Sequence, residues 1–186
     1  MAQPLSSTKF TYEDYVLFPD DGKRHELIDG EHYVTPSPVT KHQRISRNLL
    51  GALYAYVQHK QCGHLFTAPM DVVLSNLDVV QPDLLFISNP RASIITEPNI
   101  QGAPDLVVEI LSAGSRKTDE IIKRKLYERY RVSEYWIVDP ELDAVKIYRL
   151  SDKGFARVAE LSLETNDTLA SPLFPDWQLP LSQLFA

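Results

Sequence analysis

Two apolar runs decide the fold of this chain: Gln81-Pro82-Asp83-Leu84-Leu85-Phe86-Ile87 and Asp105-Leu106-Val107-Val108-Glu109-Ile110-Leu111. Each run is short and rich in residues that suit a pleated sheet, so each predicts a buried strand. Each also carries a carboxylate among carbon side chains, Asp83 at the start of the first run and Glu109 inside the second. An ionised carboxylate in such surroundings is costly unless a cation or hydrogen bonds compensate for it. The two runs therefore predict a sheet and two carboxylates with a special role.

The alternation of side chains along the second run places Glu109 on one face with Val107 and Leu111, while the opposite face is wholly apolar. The apolar face predicts packing against a helix. Asp83 is the best candidate neighbour of Glu109. Asp105 also follows a proline, but it lies roughly 13 Å from Glu109 along the strand, and magnesium and calcium bind oxygens at about 2.0–2.6 Å. Asp105 is therefore excluded as a second ligand of the same ion.

Composition limits the possible classes. A chain of 186 residues with 44% hydrophobic and 24% charged residues is globular and suffices for one domain with a substantial core. The net charge of -6 argues against strong nonspecific binding to nucleic acid, yet residues 116–131 carry seven basic and three acidic residues. Two acidic strands followed by this basic strip suggest a hard divalent cation and phosphodiester chemistry.

Cys62 is the only cysteine, which excludes an intramolecular disulfide and a cysteine-based zinc site. Residues 1–11 lack the apolar segment of a signal peptide, and no apolar run approaches the roughly 20 residues that span a bilayer. We therefore expect a cytoplasmic protein that does not contact a membrane. The sequence contains no Gly-rich phosphate loop, which argues against a nucleotide-hydrolysing enzyme or an organic cofactor.

Local signals predict the remaining elements. Thr11 is placed to cap a short helix, and Asp29-Gly30 predicts a hairpin turn. An apolar stripe at helical spacing predicts a helix over residues 41–61, ended by Gly63. A second helix is expected over residues 119–130, capped by Thr118 or Ser115. Strands are expected at residues 25–28, 31–34, 70–74, 84–87, 106–111, 134–138, 145–150 and 155–161, and residues 169–186 are expected to form a packed tail. This order predicts a mixed α/β domain around one sheet.

Five segments in this order resemble the Uma-type family of restriction-endonuclease-like proteins, within the PD-(D/E)xK nuclease superfamily. They are His25-Glu26-Leu27-Ile28-Asp29-Gly30, Gln81-Pro82-Asp83, residues 105–112, residues 119–127, and Val132-Ser133-Glu134-Tyr135-Trp136-Ile137-Val138-Asp139-Pro140. A Pro-Asp pair alone is weak evidence. The ordered set, which ends in Glu-Tyr-Trp-Ile-Val-Asp-Pro, is specific and covers most of the chain.

The resemblance implies an α/β (α+β mixed) fold, with a restriction-endonuclease-like core whose central mixed sheet is flanked by helices. It implies one nuclease-like domain over residues 1–186, with a helix and hairpin at about 11–34, a catalytic core at about 41–150 and a strand and tail at about 151–186. Mg²⁺ or Mn²⁺ would be held by Asp83, Glu109 and the Ile110 carbonyl. The implied activity is endonucleolytic hydrolysis of DNA, and superfamily habit suggests a homodimer.

The chain departs from the superfamily pattern at the third catalytic element. The lysine expected two residues after the glutamate is replaced by Leu111. The family's helical lysine, four residues before a tyrosine, matches Lys123, with Lys125 as the alternative. Glu26 lies in the family's N-terminal motif and is expected to assist catalysis or hold a second ion. Two smaller departures are Ala113 in place of proline and Arg131 in place of glycine.

Other interpretations stay open on sequence grounds. Lys123 at a solvated helix face, Glu26 as an exposed hairpin residue and an exposed His42 at a helix start are the common fates of such residues. The protein could be a nuclease-fold module that binds nucleic acid or metal without cutting, or a structural protein whose carboxylates are accidental. The sequence leaves DNA or RNA as substrate, and one or two metals, undecided.

Overall fold

The computed structural model describes residues 9–35, 37–112 and 114–186. The helical elements, in chain order, are α1 (Tyr12–Tyr15), α2 (Thr40–Lys60), a 3₁₀-helix (Asn89–Ile94), a π-helix (Thr118–Lys123), α3 (Arg124–Arg129) and α4 (Leu181–Leu184). None of them, within the described part of the chain, combines the length and apolar composition that a bilayer-spanning helix requires.

The strands alternate with these helices along the chain. In order they are β1 (Arg24–Ile28), β2 (Glu31–Thr35), β3 (Gly63–Thr67), β4 (Val72–Ser75), β5 (Asp78–Val80), β6 (Leu84–Ser88), β7 (Ile100–Gln101), β8 (Leu106–Ile110), β9 (Glu134–Asp139), β10 (Ala144–Ser151), β11 (Gly154–Ser162), β12 (Thr168–Ala170) and β13 (Gln178–Pro180). The presence of both helices and strands along the chain confirms the mixed α+β class.

The strands form two larger sheets and a small ribbon. A six-stranded sheet has the order β11-β10-β9-β8-β6-β3, and only its β8–β9 pair is parallel. A five-stranded sheet has the order β2-β1-β5-β4-β7, and β12 pairs with β13. The expectation of one sheet was therefore wrong. Local alternation predicts strands, but it does not specify which strands become partners.

One face of the six-stranded sheet packs against α2. The side chains of Leu106, Val108 and Ile110 on β8 lie in one buried cluster with Ile45 and Leu49 of α2, as the apolar face of that strand predicted. The cluster also contains the buried side chains of the C-terminal segment, namely Leu169, Phe174, Trp177, Leu179, Leu181 and Leu184. The predicted packing of the tail is confirmed.

The opposite face of the same sheet is covered by the π-helix, α3 and the five-stranded sheet. Val107 and Leu111 of this face share a buried cluster with Tyr127 of α3 and with Val72 and Ile28 of the second sheet. Glu109 belongs to this face by alternation. It therefore lies where two sheets and a helix meet.

The β1–β2 turn adopts the predicted geometry. Asp29 has φ of 52° and Gly30 has φ of 74°, so both central residues occupy the left-handed region. A side chain at Gly30 would bring its Cβ to 2.6 Å from the Lys9 Cβ, which leaves no room for any other residue. The turn fixes the register in which Glu26 pairs with Tyr33.

Two helix ends differ from the prediction. Gln61, not Gly63, takes the left-handed conformation that ends α2, and Gly63 instead begins β3. The predicted continuous helix over residues 119–130 is a π-helix followed by α3, and neither Thr118 nor Ser115 caps it, because the backbone is already helical at Lys117. Such end conformations depend on tertiary contacts that a local pattern does not contain.

Candidate functional site

A cavity of about 290 Å³ lies where the two sheets, α2 and the π-helix meet. Its walls come from β1 and β2, from the segment that leads into α2, from the residue before β6, from the end of β8 and from the π-helix. Four acidic residues line it: Glu26, Asp83, Glu109 and Asp119. Each is less than 5% exposed. Sequence segments nearly 100 residues apart thus meet in one acidic cavity.

Asp83 is held rigidly at the start of β6. Its Oδ1 accepts a 2.6 Å hydrogen bond from Arg24, and its Oδ2 accepts a 2.8 Å bond from the Ile110 backbone N–H and lies 3.1 Å from His42 Nε2. Because β6 pairs with β8 in a register that joins Leu84 to Val108, Asp83 lies beside Glu109 at this end of the sheet. Burial raises the pKa of Asp83, but His42 and Arg24 outweigh it, and the net pKa is lowered.

Lys123 lies at the centre of the other carboxylates. Its Nζ donates to Glu26 Oε1 at 2.8 Å and to Glu109 Oε1 at 3.0 Å, and it lies 3.7 Å from Asp119 Oδ1. Lys123 is only 4% exposed. Burial alone would lower its pKa, but the surrounding carboxylates raise it well above the ordinary value. The ammonium is therefore a permanent buried charge, and the interpretation of Lys123 as a solvated surface residue is wrong.

Glu109 is further fixed by Tyr127, whose hydroxyl donates a 2.8 Å hydrogen bond to Oε1. Lys123 and Tyr127 thus engage the same oxygen. No hydrogen bond to Glu109 Oε2 is formed by the described residues. This leaves one oxygen of Glu109 available to a further partner in the cavity.

Glu26 connects the cavity to the β1–β2 hairpin. Its Oε1 accepts hydrogen bonds from the Gln81 backbone N–H at 2.7 Å and from Lys123 at 2.8 Å. It is 3% exposed, so the interpretation of Glu26 as an exposed hairpin residue is also wrong. The bond to Gln81 ties β1 to the Pro-Asp segment that carries Asp83.

The cavity carries an excess of negative charge. Its four carboxyl groups face two side chains that are positive at neutral pH, Arg24 and Lys123, which leaves two negative charges if every carboxyl is ionised. Burial, with the neighbouring carboxylates, raises the pKa of Glu109 to about 8, against the pull of Lys123. Burial likewise raises the pKa of Asp119 to about 6. These shifts express the cost of crowding like charges away from water.

The π-helix supplies two of the charged groups. Asp119 and Lys123, four residues apart, both lie within it and both are buried. Single π-turns within helices are rare. Those that occur often lie at functional sites, where the wider turn redirects side chains. A spacing of four residues places both side chains on one helical face, but it does not predict this wider turn.

The first turn of α2 adds a positive potential. Val39 precedes the helix without a side-chain cap, and the first turn contains no acidic residue. The free N–H groups and the helix dipole at such an end favour anions. Val39 and His42 both line the cavity. One side of the cavity is thus suited to a metal cation and an adjacent side to an anion.

The donor chemistry fits a hard divalent cation. Four carboxyl groups against two cationic side chains, with oxygen atoms as the available ligands, match the charge and the ligand type of Mg²⁺ or Mn²⁺. Within the described residues, no three His, Cys, Asp or Glu side chains form a ready-made ligand group. Magnesium commonly retains several waters and uses only one or two carboxylates, so a two-carboxylate site is consistent with this finding.

The structure brings Asp83, Glu109, Lys123 and Glu26 to one cavity, with Ile110 at its wall. Asp105 lies elsewhere and binds Arg91 and the Ser88 N–H. Lys125, the alternative lysine, is exposed and does not line the cavity. Ala113 falls outside the described residues.

Sequence reasoning missed three residues of the site, Asp119, His42 and Arg24. His42, expected to be exposed, is 5% exposed and contacts Asp83. Arg24 pairs with the same carboxylate. For Arg24 a signal existed, since it stands two residues before Glu26 and so shares its face of the strand. For His42 a signal also existed, because it stands three residues before Ile45 and seven before Leu49, on the buried face of α2.

The fold is restriction-endonuclease-like, as comparisons with known proteins show. The family model of Uma2, described as "Putative restriction endonuclease", matches residues 12–182, and the chain belongs to this family. A similar solved structure is "a putative nuclease belonging to DUF820" from Anabaena variabilis, with a TM-score of 0.79 and 19% identity, over 95% of this chain and 97% of that chain. Among curated proteins none matches the chain.

Proposed function

We propose that the protein is a metal-dependent endonuclease that hydrolyses DNA phosphodiester bonds. The observation that carries this proposal is the excess of four carboxyl groups over two cationic side chains, Arg24 and Lys123, in a cavity that also adjoins the uncapped start of α2. Membership of a family described as restriction endonucleases supports the same chemistry.

Asp83 and Glu109, with the Ile110 carbonyl, would hold Mg²⁺ or Mn²⁺. The ion would supply Lewis-acid activation of water and of a phosphoryl oxygen. Arg24, His42 and the Ile110 N–H keep Asp83 in a fixed orientation, and Tyr127 does the same for Glu109. A preorganised ligand pair of this kind avoids reorganisation during the reaction.

Lys123 would stabilise the charge that develops on the phosphoryl oxygens. It would thereby take the role of the superfamily's motif lysine, whose position in this chain holds Leu111. Its ammonium is already buried and charged, so it needs no proton transfer to act. Glu26 positions Lys123 through their 2.8 Å ion pair. The first turn of α2 would bind the phosphate that is cleaved.

The decisive test is cleavage of plasmid and linear DNA, and of RNA of the same sequence, with Mg²⁺ or Mn²⁺. Asp83→Asn and Glu109→Gln should abolish cleavage while leaving the fold intact. Asp105→Asn is the matched control, because Asp105 also follows a proline but binds Arg91 outside the cavity. Cleavage that survives in both cavity variants would overturn the proposal.

A second readout does not depend on activity. A cation that binds only the folded state stabilises it by about 2.7 kcal/mol at a hundredfold excess over its Kd. Mn²⁺ should therefore raise the melting temperature of the wild-type protein and not that of Asp83→Asn.

A second candidate, a nuclease-fold module that binds metal or nucleic acid without cutting, is favoured by the engagement of both Asp83 oxygens. Arg24, His42 and the Ile110 N–H occupy them, so an ion must compete for this carboxylate. Stabilisation by Mn²⁺ without cleavage of any substrate would select this candidate.

Two further proposals concern the assembly and its location. Two active sites are needed to cut both strands of a duplex, so we propose a homodimer, which sedimentation or light scattering would test. We also propose a cytoplasmic location, consistent with the single free Cys62.

A further inference from the structure

A second cavity, of about 230 Å³, lies beside the first and shares Arg24, His42 and Asp83 with it. It is bounded by the first half of α2, by Thr67 at the end of β3 and by Ala68, which follows it. A group bound there would lie directly next to a group bound in the acidic cavity, because three residues line both.

The lining of the second cavity suits an anion. Besides His42, four residues of α2 contribute, Gln43, Ser46, Arg47 and Leu50, at a spacing that places them on one helix face. Gln43, Ser46 and Arg47 can all donate hydrogen bonds. The only carboxylate in the lining is Asp83, whose oxygens already accept bonds from Arg24 and the Ile110 N–H. The second cavity therefore has the opposite electrostatic character to the first.

The helix that forms this wall is unusual in an acidic protein. The 21 residues of α2 include four lysines and arginines and no aspartate or glutamate, whereas the whole chain has a net charge of -6. Arg47 forms hydrogen bonds with its neighbour Asn48 at 2.9 and 3.2 Å, and within the described residues neither Arg44 nor Arg47 pairs with a carboxylate. Their positive charges are thus available to a ligand.

His42 provides an independent observation. It lines both cavities and is 5% exposed, and its Nδ1 is a buried polar atom for which the described part of the chain supplies no partner. Buried polar atoms of this kind usually have a partner in the functional state.

We propose that the second cavity is a phosphate subsite, which binds the backbone phosphate of the nucleic acid next to the phosphodiester that is cleaved. Arg47 is its principal contact, with Ser46 and Gln43 as neutral donors. This inference rests on the proposed nucleic-acid substrate, but binding can be measured without cleavage. It assigns a function to the basic face of α2 that the proposed chemistry leaves unused.

The test is the affinity of the full chain for a fluorescein-labelled single-stranded oligonucleotide, measured by anisotropy with a chelator present so that no cleavage can occur. Arg47→Ala should weaken binding roughly tenfold, as expected for one hydrogen bond to a charged group. It should also reduce the slope of log affinity against log salt by about 0.7, the value for one phosphate contact on a single strand. Arg47→Lys should restore the slope.

Lys60→Ala is the matched control. It removes the same charge from an exposed residue of the same helix, about 20 Å further along the axis. Its affinity and salt slope should equal those of the wild-type protein. Equal values for Arg47→Ala and Lys60→Ala would overturn the subsite, and so would failure of the wild-type protein to bind any oligonucleotide.

Two arms separate this inference from the nuclease proposal. Binding that depends on Arg47 in a protein that never cleaves DNA would retain the subsite and reject the nuclease. Cleavage by a protein whose affinity for the oligonucleotide is unchanged by Arg47→Ala would retain the nuclease and reject the subsite. Inorganic phosphate is the third arm: calorimetry that shows Arg47-dependent phosphate binding, without an effect of Arg47→Ala on the oligonucleotide, would replace the nucleic-acid subsite by a free-anion site.

Discussion

Two acidic clusters contact the helical segment of residues 118–130, and they differ in how their charge is balanced. In the hairpin cluster, Asp78 accepts hydrogen bonds from the Asp29 N–H, Ser75, Arg129 and Tyr130 at 2.6 to 3.0 Å. In the cavity cluster, Glu109 shares a single lysine with Glu26 and Asp119. Both Asp78 and Glu109 are 3% exposed, so burial does not distinguish them.

Their pKa values do distinguish them. Burial raises the pKa of Asp78, but its many donors outweigh that effect, and the net pKa is lowered. Burial and like charges raise the pKa of Glu109 to about 8. The comparison teaches that a buried carboxylate with a full set of donors stabilises the fold, whereas one among uncompensated like charges is poised to bind a cation. Four predictions test this contrast.

The largest effect is expected from Lys123→Met. Loss of the ammonium leaves Glu26, Glu109 and Asp119 without their cation, and breaking a buried ion pair in this way costs about 3–5 kcal/mol. The loss in free energy of unfolding should be smaller at pH 5 than at pH 8, because the three carboxyls can be protonated at the lower pH. Chemical denaturation at both pH values measures it. Lys125→Met, at an exposed position in the same helical segment, should have no effect, and equal losses would show that Lys123 is not the balancing charge.

The next effect separates the two clusters directly. Asp78→Asn should lower the free energy of unfolding by roughly 2 kcal/mol, because it weakens hydrogen bonds to a charged group. Glu109→Gln should instead raise it at pH 7, because the unfolded chain ionises this glutamate near its ordinary pKa of 4.5 while the fold holds it largely protonated, and glutamine removes that cost. Urea denaturation in chelator gives both values. A larger loss for Glu109→Gln than for Asp78→Asn would invert the comparison.

The third prediction concerns pH. The folded-state pKa values of Glu109, about 8, and Asp119, about 6, lie above their ordinary values of 4.5 and 3.8. The stability that these groups contribute is complete below pH 4 and is lost as pH rises through 6 and 8. In chelator, the free energy of unfolding should therefore fall between pH 5 and 9. Glu109→Gln should flatten the upper part of the curve, and a rise over this range would contradict the charge excess.

Asp78 should act only at lower pH. Its lowered pKa gives a contribution that is present above its ordinary value of 3.8 and is lost as pH falls below it. Asp78→Asn should therefore leave the slope between pH 5 and 9 unchanged, which makes it the control for the pH experiment.

The smallest effect is expected at Arg131. This residue directly follows the helical segment whose side chains contact both Glu109 and Asp78. Arg131 has φ of 61°, a left-handed conformation that costs a side-chain-bearing residue roughly 1–2 kcal/mol. Arg131→Gly should stabilise the protein by about 0.5 kcal/mol after the greater entropy of the unfolded glycine chain is counted. Thermal unfolding is the measurement. Arg157→Gly, at an exposed position within β11, should destabilise instead.

Much of the fold could be predicted from local pattern. The helix expected at residues 41–61 is Thr40–Lys60, and the Asp29-Gly30 turn joins the two expected strands. Both depend on contacts between residues that are close in sequence. The division of the strands between two sheets was not predicted, because it depends on which distant strands pair.

The candidate site shows the same limit in its chemistry. The Pro-Asp segment and Glu109 are visible in the sequence because their carboxylates interrupt apolar runs. Arg24 and His42 lie outside these runs, and their contacts with Asp83 span 59 and 41 residues. Periodicity does not specify such long-range polar contacts, because it indicates only the face of the strand or helix on which a side chain lies.

The sequence by itself determined the mixed class of the fold, its main helix and hairpin, and the two carboxylates, Asp83 and Glu109, that interrupt apolar strands. Only the tertiary structure decided that Lys123 is buried among three carboxylates and that His42 and Arg24 hold Asp83. The physical reason is range: alternation and helical spacing act over a few residues, whereas charge balance in a buried cavity sums over groups that the fold alone brings together.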